Sequence, residues 1–171
     1  MLHLLLQVGP LRYALAVSQV VEVLPCVHIC PLPHAPPGVV GSFHYHGTPV
    51  SVIDLGQHLT GEPAPLRLST RIIIVERPIA ADKAAALGLP PARLGLLVAR
   101  VLGTRALAPA DFSRAHALEE LGPGFSAIAT DRHGLIYELD LNLLLATAAP
   151  ESCARPTVTL LPCVSSPSKS Y

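Results

Sequence analysis

Charge is scarce in this chain. Lys, Arg, Asp and Glu make up 14% of its 171 residues, and 12 cationic side chains balance 12 anionic ones. Nucleic-acid binding needs a basic stripe that displaces counterions from phosphates, and a neutral chain makes no case for one. Tryptophan is absent and aromatic residues total 4%, which weakens any base-stacking reading. No run reaches the roughly 18 consecutive apolar residues that cross a bilayer, so direct membrane insertion is not expected. The opening MLHLLLQVGPLRYALAV is apolar but lacks the basic start and small-residue cleavage site of a signal peptide. A cytoplasmic location is the expectation. GxxxxGK[ST], strand–GxGxxG–helix, HExxH and GxSxG are all missing, so neither a phosphate loop nor a common hydrolase centre is indicated.

Cysteine is also sparse. Cys26, Cys30, Cys153 and Cys163 do not make a disulfide framework in a cytosolic chain of this size. The run Cys26-Val27-His28-Ile29-Cys30 invites a metal test. On a strand all three candidate ligands share one face, with successive ligands about 7 Å apart. Zinc–sulfur bonds are about 2.3 Å, so a straight strand cannot converge them on one ion. Small, half-buried packing residues before a proline-rich loop are the simpler reading. No metal and no cofactor are expected.

What the chain has in plenty is apolar residues, 50% of the total. That suffices for one packed domain, or two small subdomains sharing a core. Few charges on such a chain imply a surface that meets a partner. Residues 2–8 alternate, with Leu2, Leu4, Leu6 and Val8 on one side and His3, Leu5 and Gln7 on the other. Residues 11–17 pair back as a hairpin, a helical turn follows over 17–21, and another strand runs over 21–27. Four prolines in PLPHAPPG, 31–38, impose an extended loop. Strands follow at 41–46 and 50–54, with one helical turn at 56–60. Residues 70–76 read as a strand buried on both faces, and 77–92 as an exposed loop. A strand over 94–102 breaks at Gly103-Thr104-Arg105-Ala106 before a short one near 105–108. Residues 109–125 look irregular. Strands at 126–130 and 135–139 flank a four-residue loop, Asp131-Arg132-His133-Gly134. Asp140 can cap a helix whose Leu141, Leu144, Leu145 and Ala148 fall at helical spacing. About ten short strands with one terminal helix indicate an all-β barrel architecture. The domain spans 1–148, and 149–171 is a Pro- and Ser-rich tail expected to be poorly ordered or to lie along an edge.

The stretch GSFHYHGTPVSVIDL, 41–55, holds the best candidates for chemistry: His44, His46 and Asp54. Asp54 could be a general base only with a matched partner in a concave site. The histidines lie at the other end of the hairpin. The simpler reading has Asp54 end its strand and cap Leu55–Thr60 with a side-chain oxygen. Phe43 and Tyr45 share one face of the strand, and His44 and His46 the other. The remaining histidines, His3, His34, His58, His116 and His133, are scattered and read as surface or half-buried residues.

The same stretch resembles the hairpin of the CheW family, the adaptors of bacterial chemosensory arrays. Its pattern is roughly G-x-x-N-x-R-G-x-x-x-P-V-x-D-L, matched here at Gly41, Gly47, Val52, Asp54 and Leu55. LLLQVGPLRYALAVSQVVEVLP, with Glu22, resembles the family's opening strands. PLPHAPPGVVG resembles its proline loop, LSTRIIIVE and LGLLVARV its central strands with Gly95, and GLIYELDLNLLL its last strand and helix. The likeness covers about residues 1–147. His46 stands in place of the usual arginine, His44 of asparagine, Ser51 of proline, and Ala99-Arg100 of an Asp-Gly pair.

The resemblance implies two intertwined five-stranded SH3-like β-barrels with a short C-terminal helix and no catalysis. It implies a non-catalytic adaptor that couples transmembrane chemoreceptors to a histidine kinase, at the membrane receptor array. The partners it implies are the kinase's regulatory domain and the cytoplasmic tip of a methyl-accepting chemotaxis receptor. A receptor groove would take Val20, Glu22, Gly41, His46, Val98 and Val101, with His46 facing Glu22. Gly47, Thr48 and Pro49 would meet the kinase. Two alternatives stay open: a small metal-binding or hydrolytic β-barrel enzyme, and a kinase-regulatory domain that acts without a receptor.

Overall fold

The computed structural model describes residues 1–35, 38–76, 93–113 and 125–148. The loop expected at 77–92, much of the irregular stretch 109–125 and the tail 149–171 lie outside the described residues. The strands are β1 (Leu2–Val8), β2 (Leu11–Ala16), β3 (Val20–Pro25), β4 (Val39–Tyr45), β5 (Thr48–Asp54), β6 (Arg71–Glu76), β7 (Arg93–Val98), β8 (Arg100–Ala106), β9 (Phe112–Ser113), β10 (Phe125–Asp131) and β11 (Gly134–Leu139). Among the described residues two α-helices, α1 (Leu55–Thr60) and α2 (Leu141–Ala148), complete them, with 3-10 turns at Val17–Gln19 and Pro109–Asp111.

The strands form two sheets. The first runs β8-β1-β2-β11-β10-β9 and the second β3-β6-β7-β5-β4. Pairing is antiparallel except at β2–β11 and β5–β7. The second sheet is inserted between β2 and β8 of the first, which gives the intertwined chain path the resemblance implied. Closure differs from that expectation. Among the described residues no backbone ladder joins the two ends of either sheet, and the first sheet gains a sixth strand, the two-residue β9.

Both sheets nevertheless curl. Arg105 on β8 bonds to Asp131 on β10, and Glu22 on β3 bonds to Tyr45 on β4. Each pair is four strand steps apart, about 19 Å in a flat sheet. Contact is possible only if the sheet rolls its edges together. The rolling creates three apolar clusters. Leu5, Ala14, Leu107, Ala129 and Ile136 fill the first curl. Phe43, Tyr45, Val50, Val52, Ile72, Ile74 and Leu97 fill the second. A larger cluster between the sheets takes Leu4, Leu6, Val8, Leu15, Ile73, Val75, Leu96 and Val98, with Leu141, Leu144 and Leu145 of α2.

This layering explains the central run RIIIVE. Ile72 and Ile74 face the second curl, while Ile73 and Val75 face the space between sheets, and all four are fully buried. Period-two alternation between two cores leaves no polar face. Asp140 caps α2 as its position predicts, its Oδ1 accepting from the Asn142 amide at 2.8 Å.

Four expectations need correction. The strand over 94–102 is two strands, because the chain leaves one sheet and enters the other at Ala99. Gly103 lies within β8, beside an irregularity of register, with φ +132°; it absorbs that irregularity rather than ending the strand. The hairpin at 131–134 has a two-residue turn, since Asp131 pairs with Gly134. His3 is buried, not half-exposed: it sits against Phe112, with Nδ1 3.2 Å from the Met1 carbonyl.

Candidate functional site

The site begins with the β4–β5 hairpin. Tyr45 pairs with Thr48, so His46 and Gly47 alone make the turn, at φ +48° and +80°. Positive φ at both central positions suits the twist of the flanking strands. Glycine adopts it freely, and histidine is among the residues enriched there. Gly47, Thr48 and Pro49 are exposed at this tip. Alternation along β4 then buries Phe43 and Tyr45 and exposes His44, as the sequence predicts.

Tyr45 is held from several sides. Its hydroxyl donates to Glu22 Oε2 at 2.5 Å. The Arg93 guanidinium carbon lies 5.3 Å from its ring centre, and the His46 ring sits edge-on at 4.3 Å. The hydrogen bond to the Glu22 carboxylate pushes the phenol above its usual range, with burial adding to it. Tyr45 therefore remains a donor. His46 Nε2 lies 3.9 Å from Glu22 Oε2, so the expected pair of residues does meet. Both are accessible, the His46 side chain at 74% and Glu22 at 46%.

Between β3 and β4 lies a groove of about 480 Å³. Leu24, Val27, Phe43 and Tyr45 give it apolar walls, and Glu22, His28, His44 and His46 give it a polar rim. β3 and β4 are the two ends of the second sheet, so the groove is the gap that side chains bridge and the backbone does not.

The other residues implied for the groove lie elsewhere. Val98 is fully buried in the cluster between the sheets, and Val20 and Val101 pack against that cluster. Val98 therefore offers no docking surface, and a lysine there would enter the core. Gly41 is buried at φ +151°, where an added Cβ would stand 2.3 Å from the Cys30 carbonyl oxygen. It lets β4 approach the Cys30–Ser42 bridge, which is a packing requirement rather than a docking one. Val20 and Val101, half-buried, remain at the junction of the two sheets.

Asp54 is a cap. Its Oδ1 accepts from the Gly56 and Gln57 amides at 2.8 and 3.2 Å, and its Oδ2 from Ala64 at 2.8 Å. It is 2% exposed. Three backbone donors hold this carboxylate, which ties α1 and the following loop to β5. Gly56 completes the arrangement, since a Cβ there would stand 2.6 Å from the Glu62 carbonyl. The Cys26–Cys30 run is not a strand, because β3 ends at Pro25. Among the described residues no group of three or more His, Cys, Asp or Glu side chains is placed to hold a metal ion.

Sequence reasoning missed one cluster altogether. Asp131, read as a loop residue, is a side chain only 2% exposed that bonds Arg12 at 2.5 and 3.0 Å and also Arg105. The Arg12 hydrogen bonds hold its carboxyl well below the usual carboxylate range, helped by the His133 amide and by Arg105. Arg12 sharing a face of β2 with the buried Ala14 was the available signal: a charge on a core-facing position needs a partner.

The comparisons agree with this architecture. The family model described as CheW-like domain matches residues 2–149. The solved structure of the scaffolding protein TtCheW from Thermoanaerobacter tengcongensis aligns with a TM-score of 0.68, covering 84% of this chain and 86% of that one at 22% identity. No curated protein sequence matches. At that identity the structural likeness carries the fold, and the family match over nearly the whole length carries membership: this chain belongs to the CheW-like domain family.

Proposed function

We propose that the protein is a non-catalytic adaptor that couples the cytoplasmic tip of a chemoreceptor to the regulatory domain of a histidine kinase. The observation that carries this reading is the groove between β3 and β4, beside the exposed tip Gly47-Thr48-Pro49, in a chain of this family. An apolar groove with a polar rim accepts the apolar face of a partner helix. Glu22 and His46 stand at its rim, and Val20 and Val101 at the junction of the sheets. The hairpin tip, bare of neighbours around Gly47, is assigned to the kinase. No helix among the described residues is long and apolar enough to cross a membrane, so attachment to a receptor array rests on these protein contacts. Asp54, the carboxylate that best suited a catalytic reading, is engaged by backbone amides.

The test is a pull-down with the cognate kinase regulatory domain, with and without a receptor cytoplasmic fragment. Capture of both, with receptor capture weakened by Glu22→Lys and kinase capture weakened by Thr48→Arg, supports the reading. Capture of the kinase alone would leave a receptor-independent regulatory domain. Capture of neither would overturn the adaptor.

A further inference from the structure

The Asp131 cluster carries more positive charge than it neutralises. Asp131 accepts from both terminal nitrogens of Arg12, from Arg105 and from the His133 amide. A carboxylate offers about four acceptor sites, so this one is saturated while two guanidiniums share its single charge. Each guanidinium keeps further N–H donors, and the Arg105 side chain is 39% exposed. Arg132, exposed at the β10–β11 turn, donates its Nε to His133 Nε2 at 3.0 Å rather than to a carboxylate. The register adds a fourth guanidinium. Arg100 pairs with Gln7, and Gln7 with Arg12. Directly paired residues share a face, which sets Arg100 about 10 Å from Arg12 in backbone spacing. The next acid along this face of β11, Glu138, lies four residues from Gly134, roughly 14 Å away. It bonds Ser126 and neighbours His3.

We propose that this end of the first sheet, through Arg12, Arg100, Arg105 and Arg132, binds an acidic protein segment with closely spaced carboxylates. The planar guanidinium fork matches carboxylates in a bidentate fashion. Asp131 already fixes two of the four, so little freedom remains to be lost on binding. A membrane surface or nucleic acid fits less well, because the chain as a whole is neutral and lacks the long-range field that gathers polyanions. The surface lies in the first sheet, apart from the groove of the second, and does not depend on the adaptor reading.

The full chain would be titrated with a short peptide of alternating glutamate and glycine while the arginine Nε–H signals are followed by NMR. The controls are the glutamine version of the peptide, phosphatidylglycerol vesicles and inorganic phosphate. Saturable shifts at Arg105 and Arg132 that weaken as salt rises are expected. Arg100→Glu and Arg132→Glu lie outside the Asp131 bonds, so each should weaken peptide binding at least tenfold with the urea midpoint unchanged. Three results would each overturn the proposal: equal shifts with the glutamine peptide, unchanged affinity in both charge reversals, or tighter binding of vesicles or phosphate than of the peptide.

Discussion

Asp131 in the first sheet and Glu22 in the second each link strands four ladder steps apart, and their surroundings differ. Asp131 is 2% exposed and takes two guanidiniums and a backbone amide. Glu22 is 46% exposed and takes one neutral phenol, with an accessible imidazole beyond hydrogen-bond distance. A saturated carboxylate cannot be lost without breaking all of its charge-assisted hydrogen bonds at once. An exposed one over an open groove can exchange them at little cost. The first closure stabilises the fold, and the second leaves the open edge to which the proposed function assigns a partner.

The largest expected effect follows directly. Asp131→Ala removes four charge-assisted hydrogen bonds, to Arg12, Arg105 and the His133 amide, and should lower stability by about 3 kcal/mol, read from urea unfolding. Glu22→Ala should cost less than about 1 kcal/mol, as exposed pairs do. Equal losses would erase the distinction between the two closures.

Asp54 tests whether burial or the choice of sheet decides the outcome. It lies in the second sheet with Glu22, yet it is 2% exposed. Asp54→Ala removes a helix cap and leaves the Ala64 amide without its partner, a loss of about 2 kcal/mol. A loss as small as that of Glu22→Ala would mean that the second sheet is tolerant throughout.

Acid sharpens the comparison. The folded-state pKa of Asp131 is depressed, chiefly by Arg12. A group of this kind contributes stability that is full above its unfolded pKa, about 3.9, and is lost as pH falls through the folded value. Wild-type stability should therefore fall more steeply below about pH 4 than that of Asp131→Asn. Parallel curves for the two proteins would show that Asp131 does not carry the acid limb.

These contrasts show what the sequence made legible. Alternation located β1 and β4, a continuous β-branched run located β6, and the Asp54 and Asp140 caps followed from a carboxylate placed just before a helical turn. Those signals are local. The doubly buried face of β1 was not legible, because His3 reads as polar until Phe112, more than a hundred residues away, packs against it. The same holds for the Asp131 cluster, whose three members come from β2, β8 and β10. The burial of Val98 and Gly41 was hidden in another way. They were placed by likeness to a family pattern, and a pattern does not distinguish a glycine needed for close packing from one at a binding surface. Glu22 and His46 did come together because both stand at the meeting edges of one curled sheet.

The smallest effect concerns His46. Restoring arginine sets two modest terms against each other. Arginine would carry charge at every working pH and could present two parallel N–H groups to Glu22. Tyr45 already occupies Glu22 Oε2, so the new contact gains mainly the other oxygen, in a pair that is open to solvent and contributes little. The backbone works the other way. Position 46 has φ +48°, a region in which histidine is enriched and arginine is not. His46→Arg should therefore leave the urea midpoint unchanged within error. Its consequence should fall on docking instead, because a fixed cation at the rim alters what the groove accepts. A stabilisation by His46→Arg as large as the loss in Asp131→Ala would reverse the ranking of the two closures and place a structural clamp at the rim of the groove.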